Sequence, residues 1–407
     1  MCFLSQLGVG FFLVEMRGKD LRIISSFWDR LTENVNLSEK GKVTMERIST
    51  HQFFTLAVAV LMGTTFLPVA SLVTGLSGRD GWMSVLPGFA IGIPYGLMVL
   101  SLSEQYPNKN LLQVSETLFG KWIGKTIGVL YILFMGYLGG LVLGEIGNIY
   151  QSSVMPLMPI SVFYLGALLL VLYLSWSGIE VFGRFTEVVV LVFVIALVLN
   201  LGLSIPRVEQ GELLPILRDG LKPLFFGGIK VVPFVMNFVL YLAGIAAFLP
   251  TGKETIGQLK TGLWRAVFLV GILDTLVVLM QILVLGPTET IRSVYGLLVL
   301  GKMVEISRTI TGIESLFLGV WLGALVMKVS ALFFTVIWGL ETVFSLKGLK
   351  WNLAVGIIFL GITLKFTRGP SLVAEIGLVD YYLIFPFASV WILTLWGFSR
   401  WKKGTGV

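Results

Sequence analysis

The chain is poor in the residues that build soluble active sites. Its 407 residues include one cysteine and one histidine, and only 13% are charged. A lone cysteine, Cys2, closes no intrachain disulfide, and the lone histidine, His51, stands outside any His/Cys cluster, so neither points to a metal. No phosphate loop, metal-spaced His/Cys set or nucleophile–base arrangement is present, and the glycines lie in apolar runs where close helix packing accounts for them. An enzyme is not expected, and no cofactor is implied. What the chain has in excess is apolar surface: 56% of its residues are apolar and its mean hydropathy is +0.90. That is too apolar for one soluble core, so a lipid bilayer must be the solvent for most of the chain. The formal charge of +7 does not indicate nucleic acid, because the basic residues sit at the ends of apolar runs and report membrane orientation.

A helical span needs about 20 mostly apolar residues, since every backbone N–H and C=O must be satisfied within the segment. Windows of this kind fall at approximately 52–75, 82–103, 126–151, 160–176, 185–205, 224–249, 264–286, 310–340, 352–366 and 379–398. The expected fold is therefore an all-α integral membrane protein of about ten transmembrane helices. Lys and Arg of alternate loops, among them Lys109, Lys121, Lys125, Arg184, Lys347 and Lys350, favour one side, which places both termini in the cytoplasm. Residues 1–47 pair a short apolar run with a charged stretch, too short to span and lacking a small-residue cleavage site. Met45 directly precedes the first span, so this segment is either a cytoplasmic extension or an over-extended start. A single permease-like domain is expected over 48–400, with 401–407 as a cytoplasmic tail.

Helix breaks at membrane depth are tolerated only where they line a cavity or are buried in protein, which makes them pointers to a site. The first span carries Met62-Gly63-Thr64-Thr65-Phe66-Leu67-Pro68 near its middle; the sixth carries Gly227-Gly228 and Pro233, then Asn237 and Tyr241, then Gly244 and Pro250. Both read as discontinuous. Spans one and six begin the halves of a five-plus-five arrangement, and paired interruptions at corresponding positions mark an inverted-repeat transporter with a midplane site; simple Pro/Gly kinks are the alternative. Broken helix ends suit a zwitterion, because free N–H groups attract a carboxylate and free carbonyls receive an ammonium. An amino acid is thus the natural ligand, with Gly63, Thr64, Thr65, Asn237 and Tyr241 as its expected contacts.

Charges at membrane depth are expensive and point to function. Asp274 in the seventh span, Lys230 in the outer third of the sixth and Lys328 within the eighth are the candidates. Asp274 and Lys328 either neutralise each other as a structural pair or couple to protons or substrate. Glu145, counted from Lys125, falls near the outer interface and reads as solvated or structural, as do Glu187 and Glu341 near inner ends.

Particular strings go further. Ile48-Ser49-Thr50-His51-Gln52 leads into the broken first helix, followed by Asp80-Gly81-Trp82-Met83-Ser84-Val85-Leu86, Tyr106-Pro107-Asn108-Lys109, Leu118 through Lys125, Gly178-Ile179-Glu180-Val181-Phe182-Gly183-Arg184, and Leu214 through Gly220. With Glu314, Leu316, Phe317, Trp321 and Lys328 they make residues 46–400 resemble the spore germination permease family, the B subunits of bacterial endospore germinant receptors. The resemblance implies a LeuT-like amino acid/polyamine/organocation-type fold, residence in the spore inner membrane or the cell membrane, and partnership with an A-type subunit and a lipoprotein C-type subunit. Two positions depart from the family: Asn237 stands where an acidic residue is frequent, and Gly144 where an arginine commonly precedes the third-helix glutamate.

The expected function is a germinant receptor subunit that binds a small nutrient, an amino acid by its chemistry, near the bilayer midplane. Such a ligand acts through its differential affinity for two conformations. A proton-coupled amino acid transporter using Asp274 or Lys328, and a ligand-free scaffold or ion-conducting subunit, are the competing expectations.

Overall fold

The computed structural model describes residues 47–404 apart from 67, 154, 156, 294, 304–312 and 367–369. Fourteen α-helices follow in order: α1 Thr50–Thr65, α2 Val69–Ser77, α3 Trp82–Gln105, α4 Leu111–Phe119, α5 Lys121–Ser153, α6 Ile160–Trp176, α7 Ile179–Ser204, α8 Lys222–Ile245, α9 Lys253–Arg292, α10 Gly296–Met303, α11 Ile313–Phe344, α12 Leu349–Lys365, α13 Pro370–Val379 and α14 Phe385–Gly404. A π-helical turn, Asp380–Ile384, joins the last two. Among the described residues there is no strand.

Among the described residues seven helices are long and apolar enough to cross a membrane: Trp82–Gln105, Lys121–Ser152, Ile179–Arg207, Lys222–Phe248, Lys253–Arg292, Trp321–Phe344 and Leu372–Lys403. Thr50–Gly63 and Ile160–Trp176 are shorter apolar helices. The protein is therefore a multi-pass membrane protein, and its outer face bears this out. α7 presents Val188, Leu191, Ile195 and Leu199 outward, a pattern that suits lipid because no water is there to exclude it.

The first span is broken where its sequence indicates. α1 opens with a capping box, in which the Gln52 amide donates to Ser49 Oγ and the Ser49 amide to Gln52 Oε1. It ends at Thr65, and α2 restarts at Val69 after Pro68. Proline has no N–H for the Thr64 carbonyl and clashes with the preceding turn.

Helix six is a correction. α8 runs without interruption from Lys222 to Ile245, with Pro233 inside it. Its glycines serve packing: a Cβ on Gly227 would lie 2.6 Å from Ser84 Oγ, and one on Gly88 of α3 would lie 2.6 Å from the Gly228 carbonyl oxygen. Pro233 withholds one amide from the Ile229 carbonyl without breaking the helix. Every residue from Val231 to Ile245 is buried, because α8 is enclosed by α1, α2, α3 and α14. A true glycine-proline break appears instead in α9, where Gly286 has a φ of 75° directly before Pro287.

The α3–α8 contact gives a stability prediction. Gly88→Ala puts a methyl against a backbone oxygen that cannot swing aside, and overpacking of this kind costs about 1–3 kcal/mol. Gly166→Ala in α6 meets nothing within 4 Å and should be neutral or stabilising, as alanine is the better helix former. Thermal unfolding of the protein in lipid nanodiscs compares the two; equal melting temperatures would refute the packing account.

Candidate functional site

Behind the break in the first span lies a cavity of about 460 Å³. The broken span contributes Pro68, Ser71 and Leu72; α8 contributes Lys230, Pro233 and Phe234; α5 and α11 contribute Glu145 and Lys328; and α13 with the π turn contributes Val373, Ala374, Ile376, Gly377, Leu378, Asp380, Tyr381 and Tyr382. The α2 end facing it starts at Val69, so its first N–H groups have no carbonyl of their own helix to bond.

Lys328 stands at the centre of α11, 15 residues from Ile313 and 16 from Phe344, and is 3% exposed. Its stem lies across Gly63, where a Cβ would sit 3.0 Å from Lys328 Cβ and 3.1 Å from the Ala324 carbonyl oxygen. A glycine is needed at 63 for α11 to pass this close to the end of α1. The Lys328 ammonium feels two carboxylates, Glu145 and Asp380, both buried. Among the described residues no ion pair within 4 Å joins it to either.

Asp380 opens the π turn of the last span and is 1% exposed. Its Oδ1 accepts a 3.0 Å hydrogen bond from Asn237 Nδ2, while Oδ2 and Asn237 Oδ1 have no partner. A π turn inserts one residue into the helical ladder and is frequent at functional sites. Lys230 lies at the other end of the cavity with Nζ 3.7 Å from the Tyr381 ring centre, a cation–π contact.

The expected site residues divide. Lys230 and Lys328 line the cavity; Gly63 supports Lys328, and Asn237 holds Asp380. Thr65 is fully buried, its hydroxyl donating to the Leu61 carbonyl, and lies beside Asp274. The Thr64 side chain lies outside the described residues. Tyr241 is buried and does not line the cavity; its neighbour is Tyr131, whose hydroxyl donates to the Leu240 carbonyl. Asp274 and Lys328 do not pair, since the charges around Lys328 are Glu145 and Asp380. Glu145 is 5% exposed and lines the cavity, so of its expected solvated or structural role the solvated part is corrected. Glu341 does have the surface role expected, in an ion pair with Lys347 at 2.5 Å. Asp380 has no counterpart among the residues expected from sequence.

A bundle of membrane-crossing helices, one of them broken at a cavity that gathers four charged side chains, is an architecture shared with solute transporters of known structure. The fold comparison agrees. The structure of MhsT in complex with L-phenylalanine superposes with a TM-score of 0.64 at 14% identity, covering 85% of this chain and 88% of that one. Mhp1, a nucleobase-cation-symport-1 family transporter in a closed conformation with bromovinylhydantoin bound, gives 0.57 at 14% identity over 84% and 77%. By sequence the chain belongs to the spore germination protein family, whose model matches residues 47–368. Its relatives include spore germination protein KB of Bacillus subtilis, 26% identical over 369 residues that cover 88% of this chain and 95% of the relative. YndE of the same organism is 23% identical over 370 residues, covering 88% and 97%.

Proposed function

We propose that this protein is the membrane-embedded nutrient-binding subunit of a germinant receptor, and that its ligand is an amino acid held in the cavity beside the broken first span. The observation that carries this is the charge layout. Two lysines and two carboxylates converge on one cavity, balanced in sign and with Lys328 unpaired. A zwitterion answers both signs at once: its carboxylate takes Lys328 and the amides opening α2, and its ammonium takes Asp380 Oδ2 and Glu145. Leu72, Phe234, Val373, Ile376 and Leu378 leave the remainder of the cavity apolar for a side chain. MhsT, which shares the fold, is described with L-phenylalanine bound. The full reading has ten spans in a five-plus-five inverted repeat, both termini cytoplasmic, in the spore inner membrane, with A-type and lipoprotein C-type subunits reading the conformational shift.

The test is a binding panel on the purified protein in nanodiscs: amino acids, the matching amines and carboxylic acids, sugars and nucleosides. Amino acids should bind best, and each half-molecule should bind about 10-fold or more weakly, since a hydrogen bond to a charged group contributes about 1.5–3 kcal/mol. Preferential binding of an uncharged sugar or nucleoside defeats the assignment. A buried carboxylate elsewhere, Asp274, supports a second reading as a proton-coupled amino acid transporter, with Asp274 or Lys328 as the coupling charge. Uptake of labelled amino acid into proteoliposomes driven by an imposed proton gradient distinguishes the two.

A further inference from the structure

A second cavity, of about 630 Å³, opens where α3 ends, α9 begins and α14 ends. Three cations line it: Lys253, the first residue of α9, and Arg400 and Lys403 from the last turns of α14. Arg47 closes one rim, donating to Thr251 Oγ1 at 3.2 Å and to Asn108 Oδ1 at 3.0 Å, and both acceptors belong to the lining. The one acid of the lining, Glu104, is already paired with Lys260 at 3.2 Å. Among the described residues Lys253, Arg400 and Lys403 form no ion pair. Arg400 instead rests its guanidinium 5.0 Å from the Trp396 ring centre. The Ser399 hydroxyl donates to Gln105 Oε1 and ties α14 to α3, so the cations are gathered on a fixed frame and repel one another until an anion answers them. The adjacent surface around Lys109 and Lys121 differs, because Glu116 shares it.

The cavity continues a lipid-facing track. Ile91, Pro94, Met98, Ser101 and Gln105 succeed one another at three- and four-residue steps along one face of α3. Ile91 and Pro94 are exposed and Met98 is half-buried, whereas Ser101 and Gln105 line the cavity. The helix rises about 15 Å between Ile91 and Ser101, half of the roughly 30 Å hydrocarbon thickness of a bilayer. The track therefore runs from head-group depth to the middle of the membrane, the reach of one acyl chain. We infer that α3, α9 and α14 form a binding site for a single anionic phospholipid, its phosphate among Lys253, Arg400 and Lys403 and one acyl chain along α3. Basic pockets between membrane helices hold acidic head groups in this way. A zwitterionic head group brings its own cation and leaves the charge unanswered; a free phosphate answers the charge and leaves the apolar track bare. The site stands apart from the nutrient cavity and does not rest on the nutrient reading. Its occupant would join α3 and α9 to α14, the helix that continues from the π turn bearing Asp380.

The test is native mass spectrometry of the full chain in detergent micelles, titrated with phosphatidylglycerol or with phosphatidylcholine of the same acyl chains. The first phosphatidylglycerol should bind about 10-fold or more tightly than the first phosphatidylcholine. A Lys or Arg near an acidic head group contributes about fivefold. Lys253→Gln, Arg400→Gln and Lys403→Gln should each weaken phosphatidylglycerol binding by about that factor, and the triple variant by about 100-fold, with phosphatidylcholine unchanged. The single variants decide the matter even without the triple one. Lys109→Gln, Lys121→Gln and Lys125→Gln together remove the same charge from the segment that follows α3 and should cost less than about fivefold. Equal losses in the two triple variants overturn the inference, since diffuse surface charge would then account for the binding. So does a wild-type protein with no preference for phosphatidylglycerol. Displacement of phosphatidylglycerol by an equal concentration of glycerol 3-phosphate also overturns it, by making this a site for free phosphate. Every readout is lipid occupancy, so failure here is distinguishable from failure of the nutrient assignment.

Discussion

Lys328→Met is expected to weaken nutrient binding roughly 10–100-fold and to lower stability at the same time, and the two losses can be separated. The side chain sits at the middle of α11 with only 3% exposure, between the buried carboxylates Glu145 and Asp380. Methionine matches its length and apolar stem, so packing over Gly63 survives. What disappears is the one fully buried cation facing two acids. Removing one partner from a buried charge arrangement costs about 3–5 kcal/mol, because the remaining charges are left uncompensated. The same substitution removes the partner of the ligand carboxylate, about 1.5–3 kcal/mol, or roughly 10–100-fold in affinity. In the triple variant Lys328→Met, Glu145→Gln, Asp380→Asn the uncompensated acids are gone, so the melting temperature should return toward wild type while binding does not. Nutrient binding of wild-type strength in Lys328→Met would remove the central contact from the proposal.

How far the sequence could anticipate this site depends on what each signal means locally. The break in the first span was legible because Gly63, two threonines and Pro68 fall together in six residues, and a proline within an apolar run removes a specific backbone bond. The same residue types misled in the sixth span. Gly227, Gly228 and Pro233 are consistent with a break or with close packing, and only the neighbouring α3, with Ser84 and Gly88 pressed against them, decides for packing. Lys328 and Lys230 stood out because a charge in an apolar window is conspicuous. Asp380 was hidden for the opposite reason: a window opening at 379 makes it a helix-end residue, whereas the last span starts at Pro370 and carries Asp380 ten residues into it. Glu145 was misplaced because distance along one helix says nothing of what covers it; α13 packs against α5 there, and Tyr295 of the α9–α10 connection lies close by. Nor does any spacing rule tell Asp274 that its neighbour is Thr65 and not Lys328. Pairing across helices is a property of tertiary packing.

Asp380→Asn should therefore change what the cavity selects, and not merely how tightly it binds. Asp380 is held by one bond, from Asn237 Nδ2 to Oδ1 at 3.0 Å, leaving Oδ2 for the ammonium of a ligand. The π turn that carries it displaces the ladder of the last span by one residue and brings this carboxylate to Asn237 of α8. The negative charge is thus supplied from the opposite wall. Asparagine keeps the size of the side chain and can still bond Asn237, so the fold should hold. The cavity then keeps both lysines against Glu145 alone, an excess of one positive charge. Amino acid affinity should fall about 10–100-fold with the loss of a charge-assisted bond, while the matching carboxylic acid, which has no ammonium to place, should lose little or gain. The ratio of the two affinities is the decisive measurement. Asn237→Asp makes the complementary case, since a second carboxylate 3.0 Å away repels Asp380 unless one of the pair takes up a proton; amino acid binding should then depend on pH in a way the wild type does not. If Asp380→Asn lowers the affinity for amino acid and carboxylic acid by the same factor, Asp380 only shapes the cavity wall, and the ammonium must be assigned to Glu145.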